Sequence, residues 1–194
     1  MKNKKGLLLA VLGLSVLVGV SYFITSKYLE MKAGSDPTLA ASTTINANVS
    51  AGTLSITAPG TASMSAVDLD TIGDSGGTST GTITGIGIRD HRGTSPGWSA
   101  TMTCTDFTSG GNTIAVTNLT VTPGNLAVVG NSSLTGVTAG SAHTYTGIAD
   151  PATLATATAT NGRGRYTLDS ALSLLVGVAT VPASYSATCT ETIS

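Results

Sequence analysis

The sequence predicts an all-β chain, a Thr/Gly-rich antiparallel β-sandwich of the Ig-like or jelly-roll-like kind, preceded by one N-terminal hydrophobic helix. Three observations predict it. Apolar residues recur with period two at Leu54/Ile56, Met64/Ala66, Ile83 then Ile86/Ile88, Ile114/Val116 and Leu119/Val121. With β-branched Thr on the other face, this is the pattern of half-buried strands. Clusters of Gly, Ser, Asn and Pro at 58–60, 73–77, 109–112, 123–125 and 161–162 separate these runs and read as turns. Many short strands at that spacing argue a sandwich. Finally, 34 Thr, 24 Gly and 22 Ser stand among 194 residues, while charged residues are 10% and hydrophobic ones 41%. Disordered chains combine low hydrophobicity with high net charge, so that class is excluded, and the length allows one ordinary domain plus a leader.

The first element is the leader. Lys2, Lys4 and Lys5 precede an uncharged run from Gly6 to Ile24, and a positive start followed by an apolar stretch is how an export signal or membrane anchor reads. The run is longer than a usual signal core and close to the ~20 residues that span a bilayer. Residues 1–33 are therefore read as a signal peptide or an N-terminal anchor, the cleaved signal taken first, with contact to membrane only through residues 6–24 if they are retained. Lys4-Lys5-Gly6-Leu7 also resembles the processing site of type IV prepilins, although Val11 stands where such pilins carry a glutamate. Residues 34–42, around Gly34-Ser35-Asp36-Pro37, read as a linker to a domain spanning 43–194.

All five lysines lie within the first 32 residues; beyond them four arginines face nine acids, a formal charge of −5. A net acidic domain does not predict electrostatic attachment to polyanions, so no nucleic-acid partner is expected. Later in the chain, the apolar run Leu168 to Val178 reads as a buried strand because of Gly177 near its end and the Val181-Pro182 that follows. The Thr-Ala alternation at 153–160 fits either a strand of small residues or a low-complexity linker.

Residues 88–98 read Ile-Arg-Asp-His-Arg-Gly-Thr-Ser-Pro-Gly-Trp, followed by Ser-Ala-Thr-Met-Thr-Cys. The spacing Asp90-x-Arg92-Gly93, then Gly97-Trp98 opening an alternating strand, resembles the first signature of the WxL and WxL-like bacterial surface proteins. The resemblance runs in order along residues 43–194 through Asp106-Phe107, a Leu-Thr-Val-Thr-Pro stretch, and a last strand entered through Val181-Pro182 and Tyr185. Trp98-Ser99-Ala100 stands in place of Trp-x-Leu. The second tryptophan motif is missing, with Tyr185-Ser186-Ala187-Thr188-Cys189 at its position. The resemblance implies an exported, non-catalytic domain at the cell surface that associates non-covalently with the bacterial wall, through peptidoglycan or another envelope glycan. Other surface proteins and further copies of the chain are the remaining candidate partners. The alternative is a structural subunit of an extracellular filament or pilus, linked by the Gly6 to Ile24 helix or by an exchanged edge strand.

Asp90, Arg92 and Trp98 are the candidate binding residues. Trp98 serves either as a core plug, the commoner use of a lone tryptophan in an aromatic-poor core, or as an exposed platform for a sugar face. Asp90 and Arg92, at i and i+2, are placed to form a surface ion pair that pins the loop, worth ~0–1 kcal/mol. Cys104 shares a strand face with Trp98, Ala100 and Met102, and Cys189 shares one with Tyr185 and Ala187, so both point inward and read as one disulfide of an exported protein. Asn48, Asn118 and Asn131 head Asn-x-Ser/Thr triplets, candidate glycosylation sites in a host that glycosylates asparagine. Two cysteines with distant His91 and His143 lack zinc-ligand spacing, and Asp68-x-Asp70 with Asp74 does not meet an EF-hand pattern, so no metal and no cofactor is expected. No nucleophile elbow surrounds any serine, so no enzymatic activity is expected.

Overall fold

The computed structural model describes residues 42–194 apart from 72. The expected hydrophobic helix, the signal or anchor and most of the linker lie outside the described residues. Val49–Ser194 form one compact unit.

The unit is an antiparallel β-sandwich. One sheet has five strands in the order β1 (Leu54–Thr57), β2 (Gly77–Asp90), β10 (Gly164–Val176), β6 (Leu119–Val129) and β8 (His143–Thr144). The other has four, β11 (Cys189–Ile193), β3 (Trp98–Cys104), β9 (Ala152–Ala157) and β7 (Val137–Ala139). A small hairpin, β4 (Phe107–Ser109) with β5 (Asn112–Ile114), stands apart.

Alternation does the sorting that the sequence predicts. Along β3, Trp98, Ala100, Met102 and Cys104 are buried, and the residues between them are half-exposed. Along β10 the buried set is Tyr166, Leu168, Ser170, Leu172, Leu174 and Val176. Both faces meet in one core with Ile83, Ile86 and Ile88 of β2 and Leu119 and Val121 of β6. The Thr-Ala stretch resolves as strand β9, its alanines giving a thin inner layer against the larger side chains of the opposite sheet.

Three readings of the sequence need correction. Pro123-Gly124-Asn125, expected as a turn, lies inside β6. There β6 carries one extra residue relative to β10 between Thr167 and Asp169, and Asn125, at φ 49°, absorbs it as a bulge. A second bulge lies at Thr84-Gly85 of β2, on the other flank of β10. One carboxylate serves both: Asp169 Oδ1 accepts from the Gly85 N–H at 2.9 Å, and Oδ2 accepts from Asn125 Nδ2 at 3.1 Å. Met64/Ala66 is not a strand; Met64 alone bridges to Gly81. Pro59-Gly60 interrupts this edge, and proline has no N–H for a ladder. The Ile114/Val116 strand ends at Ile114, because the Val116 N–H is taken by Asp106 Oδ1 at 2.8 Å and a 3₁₀ turn begins there.

Candidate functional site

The motif Asp90 to Trp98 connects the end of β2 to the start of β3, and so joins the two sheets at one end of the sandwich. Asp90 is the last residue of β2 and alternation turns it inward, where it is fully buried. Arg92 lies past the strand and folds back over it. Its Nε donates to Asp90 Oδ1 and its Nη2 to Asp90 Oδ2, both at 2.9 Å, while the Arg92 backbone N–H donates to Oδ1 at 3.0 Å. Nη2 also donates to the Gly97 carbonyl at 2.7 Å. The guanidinium therefore ties the strand end to the residue that precedes Trp98. The ion pair predicted from spacing is present, but it is not a surface pair, because its acid has no exposure and Arg92 retains 25%. Burial pushes the Asp90 carboxyl upward; the hydrogen bonds and charge of Arg92, with the charge of Arg163, outweigh it and hold the group below the usual carboxylate range.

Trp98 is 4% exposed. Its Nε1 donates to the Gly162 carbonyl at 3.0 Å, and its ring lies 5.8 Å, centroid to centroid, from the tilted ring of Tyr166. A buried indole N–H needs such an acceptor, and the sequence places the glycine that supplies it 64 residues away. Gly162 sits at φ +81°, and a Cβ there would stand 2.3 Å from Ala157 Cβ and 2.6 Å from Trp98 Nε1. Gly97, at φ +85°, passes so close to β9 that a Cβ would stand 2.5 Å from the Ala157 carbonyl oxygen. The Tyr166 hydroxyl lies within hydrogen-bonding reach of the carbonyls of Ser133 and Arg163, at 3.0 and 3.1 Å. Of the three candidate binding residues, only Arg92 reaches solvent, and Trp98 presents no ring face to it.

The disulfide closes the other end. Cys104 and Cys189 are direct partners on β3 and β11, with Cα atoms 4.0 Å apart. Ser99 and Ser194 exchange backbone hydrogen bonds, so counting along the ladder places the cysteines in a non-hydrogen-bonded pair, where facing side chains are closest. Cys104 is 2% exposed and Cys189 half-buried. The Tyr145 hydroxyl, 3.5 Å from Cys104 Sγ, donates to the Met102 carbonyl at 3.1 Å. The bridge links two strands of one sheet rather than the two sheets.

Near that end a groove of about 360 Å³ is lined by Asn112, Asn118, Thr180, Val181 and Tyr185 among others, with no charged side chain in its wall. Asn118 is thus half-buried, whereas Asn48 and Asn131 are exposed. Asp68, Asp70 and Asp74 are exposed turn residues, with Asp68 Oδ1 accepting from the Asp70 N–H at 3.0 Å. Among the described residues, no group of three or more His, Cys, Asp or Glu side chains is gathered as a metal site, and no helix is long and apolar enough to cross a membrane.

The motif's neighbours were not legible in its spacing. Tyr166 and Arg165 come from the start of β10, Gly162 and Arg163 from the turn before it, and only the register of β10 on β2, with Gly164 opposite Asp90, brings them to this end. No protein-family model matches the chain, and no curated protein or solved structure matches it.

Proposed function

We propose that this is an exported, non-catalytic surface protein that associates non-covalently with the bacterial cell envelope, peptidoglycan included. The Cys104–Cys189 bond carries the exported part, since disulfides persist in oxidising compartments and this one joins partners already in register. The lysine-led leader agrees with it. What supports a recognition role for the Asp90 to Trp98 end is its construction. Fixed loops on a rigid β-scaffold are where binding function concentrates. Here a buried ion pair, a buried indole hydrogen bond and two glycines at positive φ hold one such loop. Trp98 acts as the loop's anchor, and contact falls to exposed neighbours.

A specific observation favours the filament as the second reading. Residues 44–50 carry no charge and alternate Ile45, Ala47 and Val49 with polar residues, and Ile45 and Val49 are 88% and 93% exposed. Such a segment has the pattern of a strand that adds to another chain.

The test is co-sedimentation of the full chain, held in non-ionic detergent, with protein-stripped Gram-positive walls. Pelleting with the walls is the expected result. A chain that stays in the supernatant while assembling into polymers on detergent removal overturns this reading in favour of the filament.

A further inference from the structure

All four arginines of residues 42–194 gather at the Trp98 end, although the described chain has eight acids. Arg89 and Arg165 are direct Cα partners on the neighbouring strands β2 and β10. Both are exposed, so both project from the outer face of the five-stranded sheet, with side-chain roots about 5 Å apart. Arg163, also exposed, lies two residues before Arg165, and its charge reaches Asp90.

Like charges directly opposite on adjacent strands destabilise a sheet, so this pair works against the fold that carries it. No carboxylate among the described residues pairs with either arginine. Among the described residues the only ion pairs are Arg92–Asp90 and His143–Asp150. Asp90 points inward and is saturated by Arg92. Asp169 is the next acid along β10, four residues or roughly 13 Å from Arg165, and both its oxygens are engaged by the two bulges. The remaining acids lie elsewhere. Asp106, Asp150 and Glu191 fall toward the Cys104 end, and Asp68, Asp70 and Asp74 in the loop that leads to β2.

The surroundings are open. The row through the pair reads Ser55, Arg89, Arg165, Val129, and the next row on the same face reads Thr57, Gly87, Thr167, Ala127. No acidic side chain stands in either row, and exposed His91 lies two residues past Arg89 on the same face. We propose that Arg89 and Arg165, with Arg163, form a binding site for the phosphate groups of an anionic envelope polymer. The identity of the polymer rests on the envelope reading above; the anion site does not.

Phosphate fits better than carboxylate for a reason visible within the molecule. The two oxygens of Asp90 lie in one plane and are both taken by the single fork of Arg92, whereas the two free oxygens of a phosphodiester diverge from a tetrahedral phosphorus and can each face a different one of two adjacent guanidinium groups. A flat face without walls holds one small anion weakly, and repeated anions along a polymer raise the effective concentration at neighbouring arginines. The net charge of −5 beyond residue 32 concealed this patch because it averages over both ends.

The experiment measures binding of the full chain in non-ionic detergent, at low and high salt, to poly(glycerol phosphate), to polygalacturonate as a carboxylate polymer, and to vesicles containing an anionic phospholipid. Inorganic phosphate serves as competitor. The wild-type chain is expected to prefer poly(glycerol phosphate), to release it at high salt, and to lose at least about tenfold in affinity in R89Q/R165Q, given the strength of charge-assisted hydrogen bonds. The thermal midpoint of R89Q/R165Q is expected to be unchanged or higher, because a repulsion has been removed. Equal binding by the two proteins, preference for the carboxylate polymer or the vesicles, no binding at all, or a lowered midpoint in the variant each overturns the proposal. Wall pelleting separates the two readings. If R89Q/R165Q binds the phosphate polymer as the wild type does and still pellets with walls, the arginine site fails and the envelope reading stands. If the wild type binds the phosphate polymer but not walls, the envelope reading fails and the site stands.

Discussion

At the Trp98 end the sandwich is closed by polar chemistry: a buried carboxylate held by an arginine, an indole N–H on a glycine carbonyl, a tyrosine hydroxyl on loop carbonyls, and four cations crowded on or beside the strands. At the Cys104 end one covalent bond joins the last strand to β3, and acids replace cations. The polar end depends on every partner, because each buried polar group that loses its mate carries the full desolvation cost. The covalent end adds one disulfide to the Tyr145–Met102 and Asp106–Val116 hydrogen bonds, and has a neutral groove and exposed apolar residues around it. The difference places the fixed loop at the Trp98 end, the end on which the proposed function rests.

The largest effect should come from breaking the covalent end. With the cysteines 85 positions apart in sequence, the chain-entropy model assigns the disulfide about 4–5 kcal/mol. Cys104→Ala/Cys189→Ala, or reduction of the wild type, should lower the unfolding free energy by that amount and the denaturation midpoint with it, followed by tyrosine and tryptophan fluorescence. If reduction leaves the midpoint in place, the last strand is held by its ladder alone.

At the polar end, Gly162→Ala should cost roughly 3 kcal/mol, from a left-handed backbone with a Cβ and from forced repacking. It should also blunt the near-ultraviolet signal of Trp98, since the new methyl displaces the indole from its acceptor. Trp98→Phe removes the indole N–H and part of the ring volume without a backbone clash and should cost less; the reverse order would mean that this end tolerates a displaced indole better than its loss.

Arg92→Ala leaves Asp90 buried without its partner and should cost about 2–3 kcal/mol, less than for a fully enclosed pair because Arg92 is part-exposed. The sign with pH is fixed by the lowered pKa of Asp90. Stability from the pair is complete above the unfolded carboxylate range and is lost as pH falls through the folded value. Titrating the wild type from pH 6 downward should therefore show an acid loss that Asp90→Asn lacks.

The smallest effect sharpens the contrast from the other side. Glu191 is half-buried on the inner face of β11, and desolvation raises its carboxyl above the usual range despite a backbone hydrogen bond. A raised acid subtracts stability as pH rises through the unfolded value. Glu191→Gln should then raise the thermal midpoint slightly at pH 7 and not at pH 4. No difference at either pH would mean that water already reaches the carboxylate.

Reading the chain residue by residue recovered the strands whose alternation is local, such as β1, β3 and β10, and the cysteine pairing, because strand faces follow from period two. Pro123 to Asn125 misled because a bulge and a turn draw on the same residue types, and what separates them is the strand running alongside. Trp98, Asp90 and Arg92 were legible as a motif. Their partners Gly162 and Tyr166 were not, because hydrogen bonds over 64 residues leave no trace in spacing.

By itself the sequence determined the β class, the inward faces, the acidic balance and the lysine-led apolar run of residues 6–24, all of which depend on neighbours within a few positions. Tertiary structure alone decided that Arg89 stands opposite Arg165, that Asp169 staples two bulges, and that Asp90 is buried rather than on the surface. Those facts depend on strand register, and register is a relation between distant segments that is settled only when the two faces pack together.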